Sequence, residues 1–466
     1  MTALWKSEDV AEATRGYSEK KWVASGIAID SRKVKKGDLF FAMPGTRYDG
    51  HNFLDNAFQK GAVASLVSDK KLINKKGSYL FVSDVPRALN DLALAARKRS
   101  RAKVIAITGS VGKTGTKEML RLALSVCGKV HASEESLNNH VGVPLSLSRL
   151  PKDADYSILE LGMNHKGEIE KLSKLVCPDI AIITSIEIAH IKFFDSILEI
   201  AKAKSEIFLG LKKSGAAIIN KDSEGYDLLN LVLKENDIKN IITFGINQGA
   251  DIRLIDQNVI ENSSIIKAIF KNKVLEWEMP IRGEHWVKNS LIVLAVTKIL
   301  NENPEHVLKG LLNFKVPEGR GNIHKISFEF GNIVLINDSY NANPASMISG
   351  IKKLCLISKI GRKVAVLGDM KELGEMSYYY HKKIADTLLK SEIDLVFTIG
   401  DLMKDLFLSL PEKIRGLHNE DVNNLFINLF SKLRANDTIL IKGSNSMSMQ
   451  SIVKKIIERG NKIDDL

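Results

Sequence analysis

Cysteine is scarce: three in 466 residues, Cys127, Cys177 and Cys355. They are far apart and odd in number, and no two have metal-ligand spacing, which excludes a disulfide framework and a cysteine zinc site. The pattern predicts reduced, buried thiols in a cytoplasmic protein. Long apolar runs are also missing. No stretch of about 18 apolar residues occurs, so no segment is expected to span a bilayer. The opening MTALWKSEDVAEATRG lacks the basic-then-apolar order of a secretory leader. There is no low-complexity tract and no short repeat.

What is present is ordinary globular material. Apolar residues make up 44% and charged residues 26%, which excludes a disordered or collagenous chain. At roughly 150 residues per domain, the length predicts three domains. Lys and Arg number 67 against 55 Asp and Glu, a formal charge of +12. That excess is compatible with nucleic acid, a membrane surface or anionic small molecules. The basic run Arg97-Lys98-Arg99-Ser100-Arg101 has no interleaved aromatic residues to stack on bases, and is expected to be a solvated helix end.

Residues 1–90 carry short apolar runs between Gly and Lys turns and are expected to form a small mixed α/β domain. Residues 91–314 alternate apolar strands (VIAIT, YSILELG, DIAIITS, AAIIN) with amphipathic segments such as SILEIAKAKSEIFLGL. Strands apolar on both faces predict a mostly parallel sheet covered by helices. From 315 to 466 the rhythm returns in IVLINDS, KVAVLGD, LVFTIG and TILIKGS, as in a Rossmann-like sheet. Pro317 and Gly319 mark the linker between them. The expected fold class is α/β in three domains, and the phosphate-loop string described next makes the central one a P-loop ATPase-type domain.

The sharpest chemical signal is Thr108-Gly109-Ser110-Val111-Gly112-Lys113-Thr114, between an apolar strand and a helix. Glycines let backbone N–H groups turn inward around a phosphate, and the helix N-terminus adds positive potential. Lys113 is placed for the β/γ-phosphates and Thr114 for Mg²⁺. The general pattern wants glycine where Ile107 stands, so the loop is a shortened variant. Glu160, at the end of YSILE, brings a carboxylate to the same sheet edge, an oxygen donor suited to Mg²⁺. His190 follows the strand IAIITS. Taken alone, Lys204, on the next helix, reads as a surface lysine.

Several further strings follow in order. They are Asp30-Ser31-Arg32, Gly37-Asp38-Leu39-Phe40, Asp49-Gly50-His51, Asn138-Asn139, Glu160-Leu161-Gly162-Met163-Asn164, Gly283/His285/Asn289, Gly319-Arg320, Asp338-Ser339-Tyr340-Asn341-Ala342-Asn343-Pro344, and Gly368-Asp369-Met370 with His381. In these the chain resembles the Mur ligases, ATP-dependent amide-forming enzymes of peptidoglycan precursor synthesis, over nearly its whole length. The shortened phosphate loop matches the form found in that family. Glu187 and Ile188, before His190, depart from its smaller or more polar residues.

The resemblance implies ATP and two Mg²⁺ ions as cofactors. It implies a UDP-N-acetylmuramoyl tripeptide and D-alanyl-D-alanine as partners and no nucleic acid; three domains closing on one another favour a monomer. Thr108 to Thr114, Asn289, Arg320 and Asp338 are then expected at ATP. Ser31, Arg32, Asn138, Asn139, Tyr340, Asn341 and Asn343 are expected at the other substrates. Lys113, Glu160, His190, Lys204 and Arg320 are the expected catalytic set. Thr114 and Glu160 are implied to hold one Mg²⁺, and Glu160, His190 and a carbamylated Lys204 the second. An uncarbamylated Lys204 paired with a phosphate or carboxylate stays open, with Lys202 as the competing candidate for carbamylation. The residues alone also leave open a nucleic-acid-dependent ATPase and a scaffold that has lost activity.

Overall fold

The computed structural model describes residues 3–45, 48–69, 71, 77–187, 191–194, 196–260 and 263–465. Their strands build three larger sheets and one two-stranded pair. The first sheet has five strands in the order Tyr17–Ser18, Tyr79–Phe81, Ala64–Val67, Asp38–Phe41, Gly26–Ala28. The second has nine: Lys273–Met279, Ser263–Phe270, Ile252–Ile260, Asn240–Gly245, Ala216–Asn220, Ile180–Ile183, Lys103–Thr108, Tyr156–Glu160, Val130–Ala132. The third has seven: Arg415–Asn419, Leu395–Ile399, Lys363–Gly368, Thr438–Lys442, Gly331–Asp338, Asn322–Phe328, Asn461–Asp465.

The expected parallel sheets are there. Strand Lys103–Thr108 lies between Tyr156–Glu160 and Ile180–Ile183, parallel to both. Side chains alternate faces along a strand, and here each face meets its own core. Ile105, Ile107, Ile158 and Ile182 pack on the helices Lys113–Leu124 and Glu284–Leu300. Val104, Ala106, Leu159 and Ile183 pack on the opposite side with Val143, Ile169 and Ile200. Burying each large aliphatic side chain contributes about 1.5–3 kcal/mol, so the central strands are held from both faces.

Three details differ from the sequence reading. Ile252–Ile260, Ser263–Phe270 and Lys273–Met279 form an antiparallel extension, in which Ser263–Phe270 buries alternate residues. The stretch SILEIAKAKSEIFLGL is an α-helix, Ile197–Ser205, capped by the Ser196 hydroxyl and followed by a 3₁₀ turn, Glu206–Gly210. The run at Arg97–Arg99 is also less solvated than expected. Arg97 donates to Val176 O, Cys177 O and Asp179, and the Arg99 guanidinium lies 3.4 Å from the Trp5 ring centroid. The cysteines are free but half-buried. No described helix is long and apolar enough to cross a membrane.

Candidate active site

The phosphate loop leaves strand Lys103–Thr108 and enters helix Lys113–Leu124. Gly109 (φ +150°) and Gly112 (φ +87°) adopt backbone conformations that side chains resist. A Cβ at Gly109 would fall 1.9 Å from the Thr184 hydroxyl. The loop is pinned from the next strand: Thr184 Oγ1 donates to Val111 O (2.5 Å) and Ser110 N to Ser185 O (2.9 Å). Neither Thr184 nor Ser185 stood out in the sequence.

Lys113 folds back onto the loop, donating to Gly109 O at 2.6 Å. Burial lowers its pKa, with Glu160 opposing and the Arg320 charge adding to the effect. The Thr114 hydroxyl donates to Glu160 Oε2 (2.9 Å) and Asn138 Nδ2 to Glu160 Oε1 (2.8 Å). Glu160 is 1% exposed, so its carboxylate is held at both oxygens. Asn139 Oδ1 accepts from Val141 N (3.2 Å) and Gly142 N (2.9 Å) where the chain enters helix Gly142–Ser148. His190 lies outside the described residues, so the structure says nothing of it.

Lys204 is 2% exposed, whereas Lys202 points to solvent. Burial, and then the Lys113 charge, hold the Lys204 amine well below the usual lysine range. Among the described residues no carboxylate forms an ion pair with it. Its reading as a surface lysine from sequence alone is corrected: the side chain lines the same cleft as Lys113 and Glu160. The departure at Glu187 is absorbed by the backbone, because Ser110 Oγ donates to Glu187 O and accepts from Glu187 N. Burial and then Glu224 raise the Glu187 carboxyl pKa, and Lys288 opposes them.

From the C-terminal side, Arg320 stacks on Tyr340, 4.2 Å from the ring centroid. Asp338 pairs with Lys442 at 2.7 Å, and Lys442 also donates to Asn341 O. Lys442, only 2% exposed, is a residue the sequence reading missed. Asn343 caps helix Pro344–Ile357 through a reciprocal box with Ser346, as the turn chemistry predicts. Asn289 lies against the phosphate loop, its Oδ1 2.9 Å from where a Gly112 Cβ would stand.

These groups share one cleft of roughly 2620 Å³, lined by Ser110, Lys113, Glu160, Lys204, Asn289, Arg320 and Asp338 among others. That is larger than the roughly 300–1,000 Å³ of a single small-molecule site, and has room for two large substrates. Ser31 and Arg32 are not among its lining residues. Ser31 is buried, and Arg32 is exposed and forked onto Asp30 at 2.8 Å.

Family models match most of the chain: the "Mur ligase family, catalytic domain" over 23–107, the "Mur ligase middle domain" over 107–297 and the "Mur ligase, glutamate ligase domain" over 319–445. The chain belongs to the Mur ligase family. A curated Mur ligase from Rickettsia prowazekii, UDP-N-acetylmuramoyl-tripeptide–D-alanyl-D-alanine ligase, is 35% identical over 97% of this chain and 99% of its own length. The crystal structure of MurF from Acinetobacter baumannii superposes with a TM-score of 0.81 at 30% identity, covering 97% of this chain and 99% of that one. MurF ligase from Thermotoga maritima, solved in complex with ADP, gives 0.74 at 26% identity, covering 93% and 97%. Mur ligase membership accounts for the phosphate loop and the third-domain residues in one cleft.

Away from the cleft, His381 is a buried histidine whose Nδ1 donates to Ser377 O (2.7 Å) while Nε2 accepts from Met370 N (3.0 Å). This arrangement requires the neutral ring. Burial lowers its pKa, opposed by the Ser377 bond. On acidification the unfolded chain therefore takes up the proton first. Stability present above about pH 6.5 is lost as pH falls toward the folded value. His381→Leu is expected to cost about 1–3 kcal/mol by leaving Met370 N–H unpaired, and to flatten that acid dependence. Urea unfolding at pH 7.5 and 5 checks both.

Proposed function

We infer that this chain joins D-alanyl-D-alanine to the free carboxylate of a UDP-N-acetylmuramoyl tripeptide, converting ATP to ADP and phosphate, in the cytoplasm. The observation that carries the reading is charge. Lys113 and Arg320 bring positive charge to a cleft where Glu160 is the carboxylate beside the phosphate loop, with the buried amine of Lys204 next to them. A triphosphate and a substrate carboxylate supply the anions that this cluster lacks. Relatives named for that ligase reaction match almost the full chain.

The acceptor carboxylate oxygen attacks the γ-phosphorus, the bond to the bridging oxygen breaks, and ADP leaves with an acyl phosphate formed. The dipeptide amine then attacks the acyl carbon, loses a proton, and phosphate departs. Little covalent chemistry falls to the protein, whose part is positioning and charge neutralisation. Lys113 would exchange its bond to Gly109 O for phosphate oxygens. Asn289 and Asp338 would hold adenosine, and Arg320 the γ-phosphate. Asn138, Asn139, Tyr340, Asn341 and Asn343 would face the other substrates, with Ser31 and Arg32 in a first domain (1–90) taking the UDP-sugar end.

The donors present fit Mg²⁺: the Thr114 hydroxyl and the Glu160 carboxylate are hard oxygens 2.9 Å apart. Mg²⁺ bound there would neutralise β- and γ-phosphate charge. Burial shifts Lys204 toward the neutral amine, the form that adds to the carbon of CO₂ and, losing one proton, becomes a carbamate oxygen donor. With His190 it would complete a second Mg²⁺ position.

ADP release is measured with Mg-ATP and UDP-muramoyl tripeptide, with and without D-alanyl-D-alanine. ADP formation that needs both, with a product heavier by the dipeptide less water, is expected. Folded protein that releases no ADP would sink the reading, as would ADP release that depends only on DNA or RNA.

A further inference from the structure

Lys117, on the phosphate-loop helix one turn beyond Lys113, is fully buried and does not line the cleft. Nothing in the mechanism above uses its charge. Its ammonium donates to Ser133 O (2.7 Å) and Glu135 O (2.8 Å) and lies 3.2 Å from Glu118 Oε1, so its three protons have three acceptors. A buried ammonium is costly unless its partners are complete, and replacing a whole buried ion pair by apolar residues is often neutral or stabilising.

The segment it grips, 133–138, does several things at once. Glu135 sits at φ +46°, a left-handed conformation unusual for a side-chain-bearing residue. Ser133 Oγ accepts from Glu160 N (3.4 Å). Asn138 holds Glu160 Oε1 through its side chain and accepts from Gly162 N through its carbonyl (2.7 Å). Toward the first domain, Glu135 pairs with Lys33, two residues after Ser31 (3.2 Å). Glu134 pairs with Arg149 (2.7 Å), and Arg149 also donates twice to Ile27 O (2.8 and 2.6 Å).

We propose that Lys117 is a positioning residue, its buried ammonium fixing the 133–138 segment so that Asn138 sets the Glu160 carboxylate while the same segment seats the acceptor-binding face of the first domain. The proposal rests on the ligase reading for what the acceptor is. Lys117 acts at one remove, through backbone carbonyls, on both the Mg²⁺ carboxylate and the UDP-linked substrate. Loss of partners behind a metal ligand typically costs about 10–100-fold in affinity or activity.

The test compares the full chain with Lys117→Met. Expected are rises of about tenfold or more in the half-saturating Mg²⁺ concentration and in KM for UDP-muramoyl tripeptide. The KM for D-alanyl-D-alanine should stay within about threefold. Lys117→Gln, which keeps two N–H donors for the two carbonyls, should recover most of the loss. If the methionine variant does not fold, Lys117→Arg carries the test, since its larger head displaces both carbonyls, and the same split is expected. A folded variant with parental Mg²⁺ requirement and acceptor KM, or one that lowers kcat alone, overturns the proposal. If the parent protein releases no ADP, the ligase reading fails separately. Calorimetric titration of ADP at stepped Mg²⁺ then decides the matter, and equal curves for parent and Lys117→Met overturn it.

Discussion

Arg320→Ala is expected to lower kcat by about 10³-fold or more, with calorimetric ADP affinity within a few-fold of the parent. The split follows from where the residue sits. Arg320 reaches the cleft from just beyond the linker, lies against Tyr340, and is close enough for its charge to lower the Lys113 pKa. In the proposed reaction its guanidinium would meet the γ-phosphate end of the triphosphate, which ADP lacks. Charge that develops during transfer is what it would offset, so ground-state nucleotide binding is spared. Steady-state ADP release alongside ADP titration separates the two quantities. Turnover that survives the substitution would remove Arg320 from the transfer step and leave Tyr340 stacking as its role.

Lys204→Ala is expected to cost about 10²–10³ in kcat. It should also abolish a mass increment of one CO₂ on the intact native protein, an adduct that Lys202→Ala retains. The reason is the burial that separates the two lysines, inward Lys204 and exposed Lys202. Burial, and then the Lys113 charge, hold its pKa well below the lysine range, which favours the neutral amine. Lowering the pH protonates that amine and removes the reacting form, so the adduct should shrink as pH falls. A short free carboxylate supplied to Lys204→Ala is expected to restore part of the rate by taking the place of the carbamate oxygens. An unmodified Lys204 in fully active enzyme would point instead to an ammonium paired with phosphate.

The legible parts of this molecule were local. VIAIT followed by Thr108–Thr114 announces a strand, a phosphate loop and a helix within a dozen residues, because turn glycines and apolar runs act over short range. DSYNANP announces a strand end, a capped turn and Pro344 at the helix start for the same reason. What could not be read depends on contacts between distant positions. Thr184 and Ser185 pin the loop from 73–75 residues away, and Lys442 reaches Asn341 across 101. Nothing within either stretch marks the partner. Lys204 failed as a local reading because helix amphipathicity at AKAKSE places two lysines close together, and only packing decides which one turns inward. The antiparallel extension at 252–279 was missed because its middle strand buries only alternate residues, a weaker pattern than the continuous runs of the parallel strands.

The way apolar residues are shared among the three sheets bears on how such a chain can be reassembled from parts. Leu145, on the central helix Gly142–Ser148, belongs to the same buried cluster as Trp5, Leu39, Leu66 and Leu89 of the first section. Arg99 ties Trp5 and the carbonyls of Leu4 and Leu150 together across that seam. The clusters behind the seven-stranded sheet draw only on residues beyond 322. Recombination between relatives can therefore transplant the C-terminal third whole, because its interior travels with it. A crossover near residue 90 instead divides one interior between two parents, and both halves of that seam must come from the same one.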